Sequence, residues 1–330
     1  VLVPDFAGKC STEIIPLLPS SSLDSSYLAY FLRSASTVER ISAKTAGARM
    51  PRADMDFVLG LEIPLPSIVE QRRIVDLLSR AEGIVRLRRD AQAKAKAIIP
   101  ALFLDVFGDP ATNPKGWVES PLRALVQEFR YGTSNKSGDS GLPTLRIPNV
   151  VGDRLDPREM KLVPVTEAEA ARLRLVAGDL LFVRTNGNPD YVGRSAVFEP
   201  EVMTVAGFDA ANCIYASYLI RARLMPDAAC PVFLQSFLSS HEGRKRLREQ
   251  ARTSAGQYNI NTEGLGSILI PQPPLGMQAK FEDRCRSVLG IVAQQGDALK
   301  KAEATFQSLL SRTFGGQPTA AAPAEEAAVA

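Results

Sequence analysis

The sequence predicts an α+β fold: globular pieces with a twisted, mostly antiparallel sheet, separated by two long antiparallel coiled-coil helices. Three observations predict it. A Pro-bounded apolar strand leading into a long helical pattern occurs twice, as Leu61-Glu62-Ile63-Pro64-Leu65-Pro66 before Glu70-Gln71 and as Ile268-Leu269-Ile270-Pro271-Gln272-Pro273 before Met277-Gln278. Each helical pattern carries apolar residues in steps of three and four. Between them, from Trp117 to about Pro273, short apolar runs alternate with Gly, Asn, Asp and Pro, the composition of strands and turns.

The repeat keeps one register. Ile63 and Ile270, Gln71 and Gln278, and the closing pairs Phe107-Gly108 and Phe314-Gly315 are each 207 positions apart. That period is too long for a solenoid or propeller, so the chain reads as globular piece, helix, globular piece, helix. Upstream, Tyr27 to Ser34 matches Phe233 to Ser240, and an Ala-Gly pair (Ala46-Gly47, Ala255-Gly256) follows each. Residue 1 then aligns near residue 203, and the first piece is expected to lack roughly 85 N-terminal residues of a domain like the second.

Residues 1–66 are therefore expected to be the C-terminal part of a first domain, 67–109 a first spacer helix, 110–273 a second domain, 274–315 a second spacer helix, and 316–330 a disordered tail rich in Ala and Pro. The first seam reads Ile74, Leu77, Ala81, Ile84, Arg88, Ala91, Ala95, Ile98 and Leu102 within a helix over 70–107. The second reads Phe281, Arg284 with Cys285, Val288, Ile291, Gln295, Ala298, Ala302, Thr305 and Leu309 within 277–314. Both are interrupted by a polar residue at the same step, Arg88 and Gln295. Matched seams pack economically on each other, antiparallel if the intervening domain returns the chain. Each helix would span about 55 Å, long enough for a spacer. Pro100 predicts a kink or broken end near Ile99. In the second domain, strands are expected at 142–147, 179–184, 191–198 and 213–221, with helices at 167–173 and 231–252.

Lys and Arg number 39 against 36 Asp and Glu, a net charge of +3 that makes no case for nucleic acid by itself. No apolar stretch is long enough for a membrane span and no signal pattern opens the chain, which predicts no membrane partner. The four cysteines, Cys10, Cys213, Cys230 and Cys285, include no CxxC pair and read as reduced side chains of a cytoplasmic protein, not as a metal or disulfide frame.

Catalytic motifs lack their context. Asn188-Pro189-Asp190-Tyr191 is similar to the loop by which adenine methyltransferases hold a flipped base, but no Gly-rich loop precedes it, and the same residues make an ordinary turn. Gly8-Lys9 has no upstream glycine at P-loop spacing, and His241 has no Cys or Ser partner. Binding chemistry remains. Arg184, Thr185, Asn186, Asn188, Tyr191 and Arg194 crowd one strand-loop-strand, and Arg, Asn and hydroxyl side chains are the ones that pair with base edges. Arg146 ends a neighbouring strand. A second polar cluster holds Gln257, Tyr258, Asn259 and Asn261. A third, Arg244, Lys245, Arg246, Arg248 and Arg252 on a predicted helix, suits phosphate contact at Arg246 and Arg248, although such runs are also ordinary solvated faces.

These residues resemble the DNA-specificity subunit of type I restriction-modification systems. The resemblance rests on Ile63-Pro64-Leu65-Pro66 through Glu70-Gln71-Arg72-Arg73-Ile74, Pro100-Ala101-Leu102-Phe103 through Phe107-Gly108-Asp109-Pro110, Asn113-Pro114-Lys115-Gly116-Trp117, Gly178 to Arg184 and Gly256 to Ile260. Gly276-Met277 departs from it, where the first copy has Val69-Glu70. It implies target-recognition domains that each read half of a bipartite double-stranded DNA site, and no catalytic activity or cofactor of the chain's own. S-adenosylmethionine would sit on partner modification (methyltransferase) subunits, and restriction subunits would join the complex. A homodimer supplying two complete domains is a variant of this reading. A methyltransferase fragment and a coiled-coil protein adaptor are the alternatives.

Overall fold

The computed structural model describes residues 1, 3–4, 8–11, 14–45, 52–254 and 256–315. The Ala46-Gly47 pair, Ala255 and the expected tail over 316–330 lie outside the described residues. Helices α1 (Ser25–Arg33), α2 (Ala35–Ser42), α3 (Met55–Leu59) and α4 (Ile68–Phe107) come first. Strands β1 (Glu119–Pro121), β2 (Val126–Tyr131), β3 (Leu142–Leu145), β4 (Val150–Val151), β5 (Arg154–Leu155) and β6 (Lys161–Val163) follow, then α5 (Glu167–Leu173). Next are β7 (Leu180–Val183), β8 (Thr185–Asn186), β9 (Ser195–Val197), α6 (Pro200–Val205), β10 (Ile214–Tyr215) and β11 (Leu219–Leu224). Helices α7 (Pro231–Ser239) and α8 (His241–Gln250), strands β12 (Arg252–Ser254) and β13 (Gln257–Asn259), α9 (Thr262–Ser267), β14 (Leu269–Pro271) and α10 (Leu275–Phe314) complete the α+β chain.

Two compact units share the long helices, one of Val1–Lys94 with Val292–Ala330 and one of Ala95–Ile291. In the first, Tyr27, Tyr30 and Phe31 of α1 pack with Leu78 and Val85 of α4 and with Phe306, Leu310 and Phe314 of α10. Arg88, the polar break of the first seam, donates to Gln295, the break of the second, at 3.3 Å. Six residues earlier, Glu82 accepts from the Tyr30 hydroxyl at 2.9 Å, and the Tyr30 ring meets Phe306 eleven residues later. The two helices are thus antiparallel within this unit.

The seam holds in part: Ala95, Phe281 and Cys285 are buried, and Ile74, Ala81, Ala302 and Leu309 pack against the first unit's core, but elsewhere it lies one position from its expected place. Leu77, Ile84 and Ile98 are exposed, whereas Leu78 and Val85 are buried, and in α10 Ile291 is exposed while Val292 is buried. Buried positions still recur at the repeat offset: Leu78 with Cys285, Val85 with Val292, Phe103 with Leu310, and Phe107 with Phe314. α4 also runs unbroken through Pro100. Pro100 and Lys96, whose carbonyl loses its helical donor, are both exposed, so water can satisfy that carbonyl.

The duplication extends to hydrogen bonds. In the first unit Gln71, 0% exposed, accepts from the Asp24 backbone N–H and donates to the Ser22 and Pro66 carbonyls, all at 2.8 Å. In the second, Gln278, 1% exposed, accepts from the Cys230 backbone N–H at 2.9 Å and donates to the Pro273 carbonyl at 2.8 Å. Asp24 and Cys230 are the N-caps of α1 and α7, so each glutamine ties the start of a long helix to the start of a nine-residue one.

The second unit is built on an antiparallel sheet in the order β2-β11-β7-β9. Leu180 and Phe182 of β7 face a core containing Phe103, Phe107, Phe233 and Phe281; Leu181 and Val183 face another containing Leu145, Tyr215 and Leu219. A strand covered on both faces has no polar side to show, which is why β7 reads as a continuous apolar run. A second sheet, β10-β3-β6, contains one parallel pair, β10 with β3. The helix expected over 231–252 is two helices. Ser240 ends α7 and its hydroxyl accepts from the Gly243 N–H at 3.1 Å, capping α8.

Candidate nucleic-acid interface

Leaving the buried β7, the chain passes Arg184 and forms β8, which pairs with β13; β13 in turn pairs with β12. The two polar clusters, distant in sequence, therefore meet in one small antiparallel sheet. Asn186 lies opposite Tyr258 and Thr185 opposite Asn259. The Thr185 hydroxyl donates to Gln257 Oε1 at 3.1 Å. Arg184 is held on both sides of its peptide: its N–H donates to the Tyr218 carbonyl and its carbonyl accepts from the Ile260 N–H, each at 2.9 Å. Its guanidinium lies over the Tyr131 ring, 4.8 Å from the centroid, a contact that fixes direction without neutralising charge.

After β8 the chain turns through two side-chain-stabilised bends. Asn186 Oδ1 accepts from the Asn188 N–H and Asn188 Oδ1 from the Asp190 N–H, both at 2.9 Å. Asn188 to Tyr191 is thus a turn. Gly193, at φ 73, reverses the chain where a Cβ would come within 2.8 Å of Leu247 Cδ2. Arg194 then stacks on Tyr191 at 3.8 Å, and Tyr191 is exposed.

Other expected site residues have partners of their own. The Arg246 side chain is 18% exposed; it donates to Glu242 at 2.9 Å, Glu119 at 2.8 Å and the Leu269 carbonyl at 2.7 Å. Those bonds engage Nε and Nη1, and the two carboxylates offset the charge that a phosphate contact would use. Arg248 pairs with Asp190 at 3.0 Å and stays exposed. Arg252 belongs to β12 and not to the helix, because α8 ends at Gln250. Arg146 follows β3 and donates to the Glu159 carbonyl at 2.7 Å. Asn261 caps α9, accepting from the Gly264 N–H at 2.7 Å, and Asn259 Nδ2 donates to the Gln257 carbonyl at 3.3 Å. Sequence reasoning missed Tyr131 and Tyr218, exposed tyrosines beside Arg184. Nothing local marks them, since only the pairing of β11 with β2 and β7 brings them to that arginine.

Residues 2–96 match the family model described as the type I restriction modification DNA specificity domain. The chain is 28% identical over 325 residues to the Type I restriction enzyme EcoKI specificity subunit of Escherichia coli K12, covering 92% of this chain and 68% of that protein. The StySPI specificity subunit of Salmonella potsdam is also 28% identical, with 92% and 68% covered. Over nearly its whole length the chain is thus similar to type I specificity subunits. A type I system S subunit from M. genitalium shares the fold, with a TM-score of 0.53 at 16% identity over 90% of this chain and 74% of that one. So does a chain solved in work on complex assembly and conformational transition of the type I R-M system, with a TM-score of 0.55 at 20% identity, covering 87% and 70%.

No described helix is long and apolar enough to cross a membrane. Among the described residues no group of His, Cys, Asp or Glu could hold a metal ion. Cys213 and Cys285 are buried, and burial pushes both thiols up to about 11.

Proposed function

We propose that this chain is the DNA-recognition subunit of a type I restriction-modification complex, with the sheet-bearing unit reading one half of a bipartite duplex site. The observation that carries this is the convergence of the two polar segments on β8 and β13, with Arg184 clamped through its backbone and aimed by Tyr131. Methyl transfer belongs to partner modification subunits carrying S-adenosylmethionine, restriction subunits join that complex, and this chain supplies address and no chemistry. The turn geometry at Asn188 to Tyr191 supports this over a methyltransferase fragment.

Fluorescence anisotropy against a duplex library, with and without modification subunits, tests the reading. A well-placed arginine is worth about 1–3 kcal/mol of base discrimination. Arg184→Ala should therefore lower the ratio of preferred to other duplexes by about 10- to 100-fold. A parent chain with no preference under either condition would remove the proposal, and an equal loss for all duplexes would reassign Arg184 to the backbone.

The docking face for the modification subunits is the exposed stripe of Leu77, Ile84 and Leu87 on α4. Leu77 and Ile84 are one heptad apart and Leu87 is one turn on, so they share a face, and contiguous exposed apolar surface marks an interaction site. Leu77→Asp with Ile84→Asp should abolish co-purification with those subunits while shifting the chain's own stability by no more than about 0.5 kcal/mol per site. Undiminished capture would refute this placement; a doubling of mass with concentration that the variant abolishes would give the stripe to a second copy of the chain.

A further inference from the structure

A concave cleft of about 310 Å³ lies at the turn that follows β8, lined among others by Arg194, Arg244, Arg248, Asp153 and Asp190. Three guanidinium groups sharing one cleft repel one another, and what each of them touches decides whether that charge is cancelled. Arg244 donates to the Asp190 and Val192 carbonyls at 3.0 and 2.8 Å, which positions it and leaves its charge intact. Burial, with Arg194 and Arg248 nearby, holds its pKa below the ordinary arginine value. Arg194 stacks on Tyr191, and among the described residues it forms no ion pair. Only Arg248 meets a carboxylate, Asp190, in a pair exposed enough for solvent to weaken it. Asp153 accepts from the Ser239 hydroxyl at 2.6 Å.

We infer that the cleft of Arg194, Arg244 and Arg248 binds one phosphodiester group of the DNA backbone and so fixes the register in which β8 and β13 meet the bases. The inference rests on the DNA-reading function proposed above. Three arginines against two aspartates leave a local charge of +1, which matches a singly charged phosphodiester better than a nucleoside triphosphate or other polyanion. The volume exceeds that of one phosphate and admits the adjoining sugar. The placement is economical: the turn that begins at Asn186 of β8 ends at Arg194, so one short loop joins the base-facing strand to the anchor. Backbone contacts of this kind position a protein on a duplex without choosing its sequence.

The full chain, titrated with the duplex library over a series of salt concentrations, provides the test. Each lost phosphate contact should reduce the slope of log affinity against log salt by about 1. Arg194→Gln is expected to show that reduction with the ratio of preferred to other duplexes unchanged, and so is Arg248→Gln, whose exposed side chain makes it the variant safe for folding. Unchanged slopes in both would overturn the inference, and a changed ratio would do so too by making the cleft a reader of bases. Inorganic phosphate at matched ionic strength should compete only weakly; phosphate occupying the cleft as tightly as duplex would assign it to the free anion instead. A parent chain that binds duplexes without preference loses the base-reading proposal, yet its salt slopes still judge the anchor.

Discussion

Phe107→Ala should destabilise the sheet-bearing unit by about 3–5 kcal/mol, the usual cost of emptying a fully packed aromatic site. Phe107 is 4% exposed, and its ring meets Phe233 at 4.8 Å, Phe103 at 5.1 Å and Phe281 at 5.2 Å. Those partners come from α7, α4 and α10, so three elements lose contact at once. The fold cannot collapse into the gap, because the ring sits at the end of a helix already held by neighbours. Trp117 is the only tryptophan, and its indole N–H donates to the Phe107 carbonyl at 2.9 Å. Urea unfolding followed by its fluorescence therefore reports on this site, and a loss below about 1 kcal/mol would show the cluster to be loosely packed.

Asp179→Ala is expected to cost a similar amount, about 3–5 kcal/mol, by stranding a charge. Asp179 is 1% exposed, accepts from Arg223 Nε and Nη2 at 2.8 and 2.7 Å, and also accepts from the Val176 N–H at 2.9 Å. Removing it leaves the Arg223 guanidinium, itself only 29% exposed, donating to the Arg174 carbonyl at 3.2 Å with no carboxylate to neutralise it there. Replacing both members, Asp179→Ala with Arg223→Met, should recover most of the loss, since an absent pair costs less than a broken one. A double variant no more stable than the single would mean that the carboxylate acts mainly through the Val176 turn.

Much of the architecture was legible because it is written twice. The 207-residue offset located both long helices, paired Gln71 with Gln278, and placed Arg88 and Gln295 at the same step, where they meet. The seam was misplaced by one position at Leu77 and Ile84 for a physical reason: α4 carries two adjacent apolar stripes there, one with Leu78 and Val85 and one with Leu77 and Ile84. Periodicity finds both and cannot say which faces the core. The break at Ser240 was hidden inside a continuous helical composition. The site was legible as composition only. That 182–194 and 257–261 hold polar side chains is plain from the sequence, but their union depends on two-residue β8 pairing with three-residue β13, strands too short and polar to announce themselves. Arg246 could not be told from its neighbours, since Glu119, which engages it, lies 127 residues away.

The glutamine clamps carry a consequence for how such chains could diversify. Among the described residues the Gln278 side chain bonds to Cys230 and Pro273, and the Gln71 side chain to Ser22, Asp24 and Pro66, so each fastening is closed within its own unit. A foreign reading module that brings a proline carbonyl and a short-helix start to the same glutamine would seat in the same socket. Address could then be exchanged by grafting, with the rods left untouched.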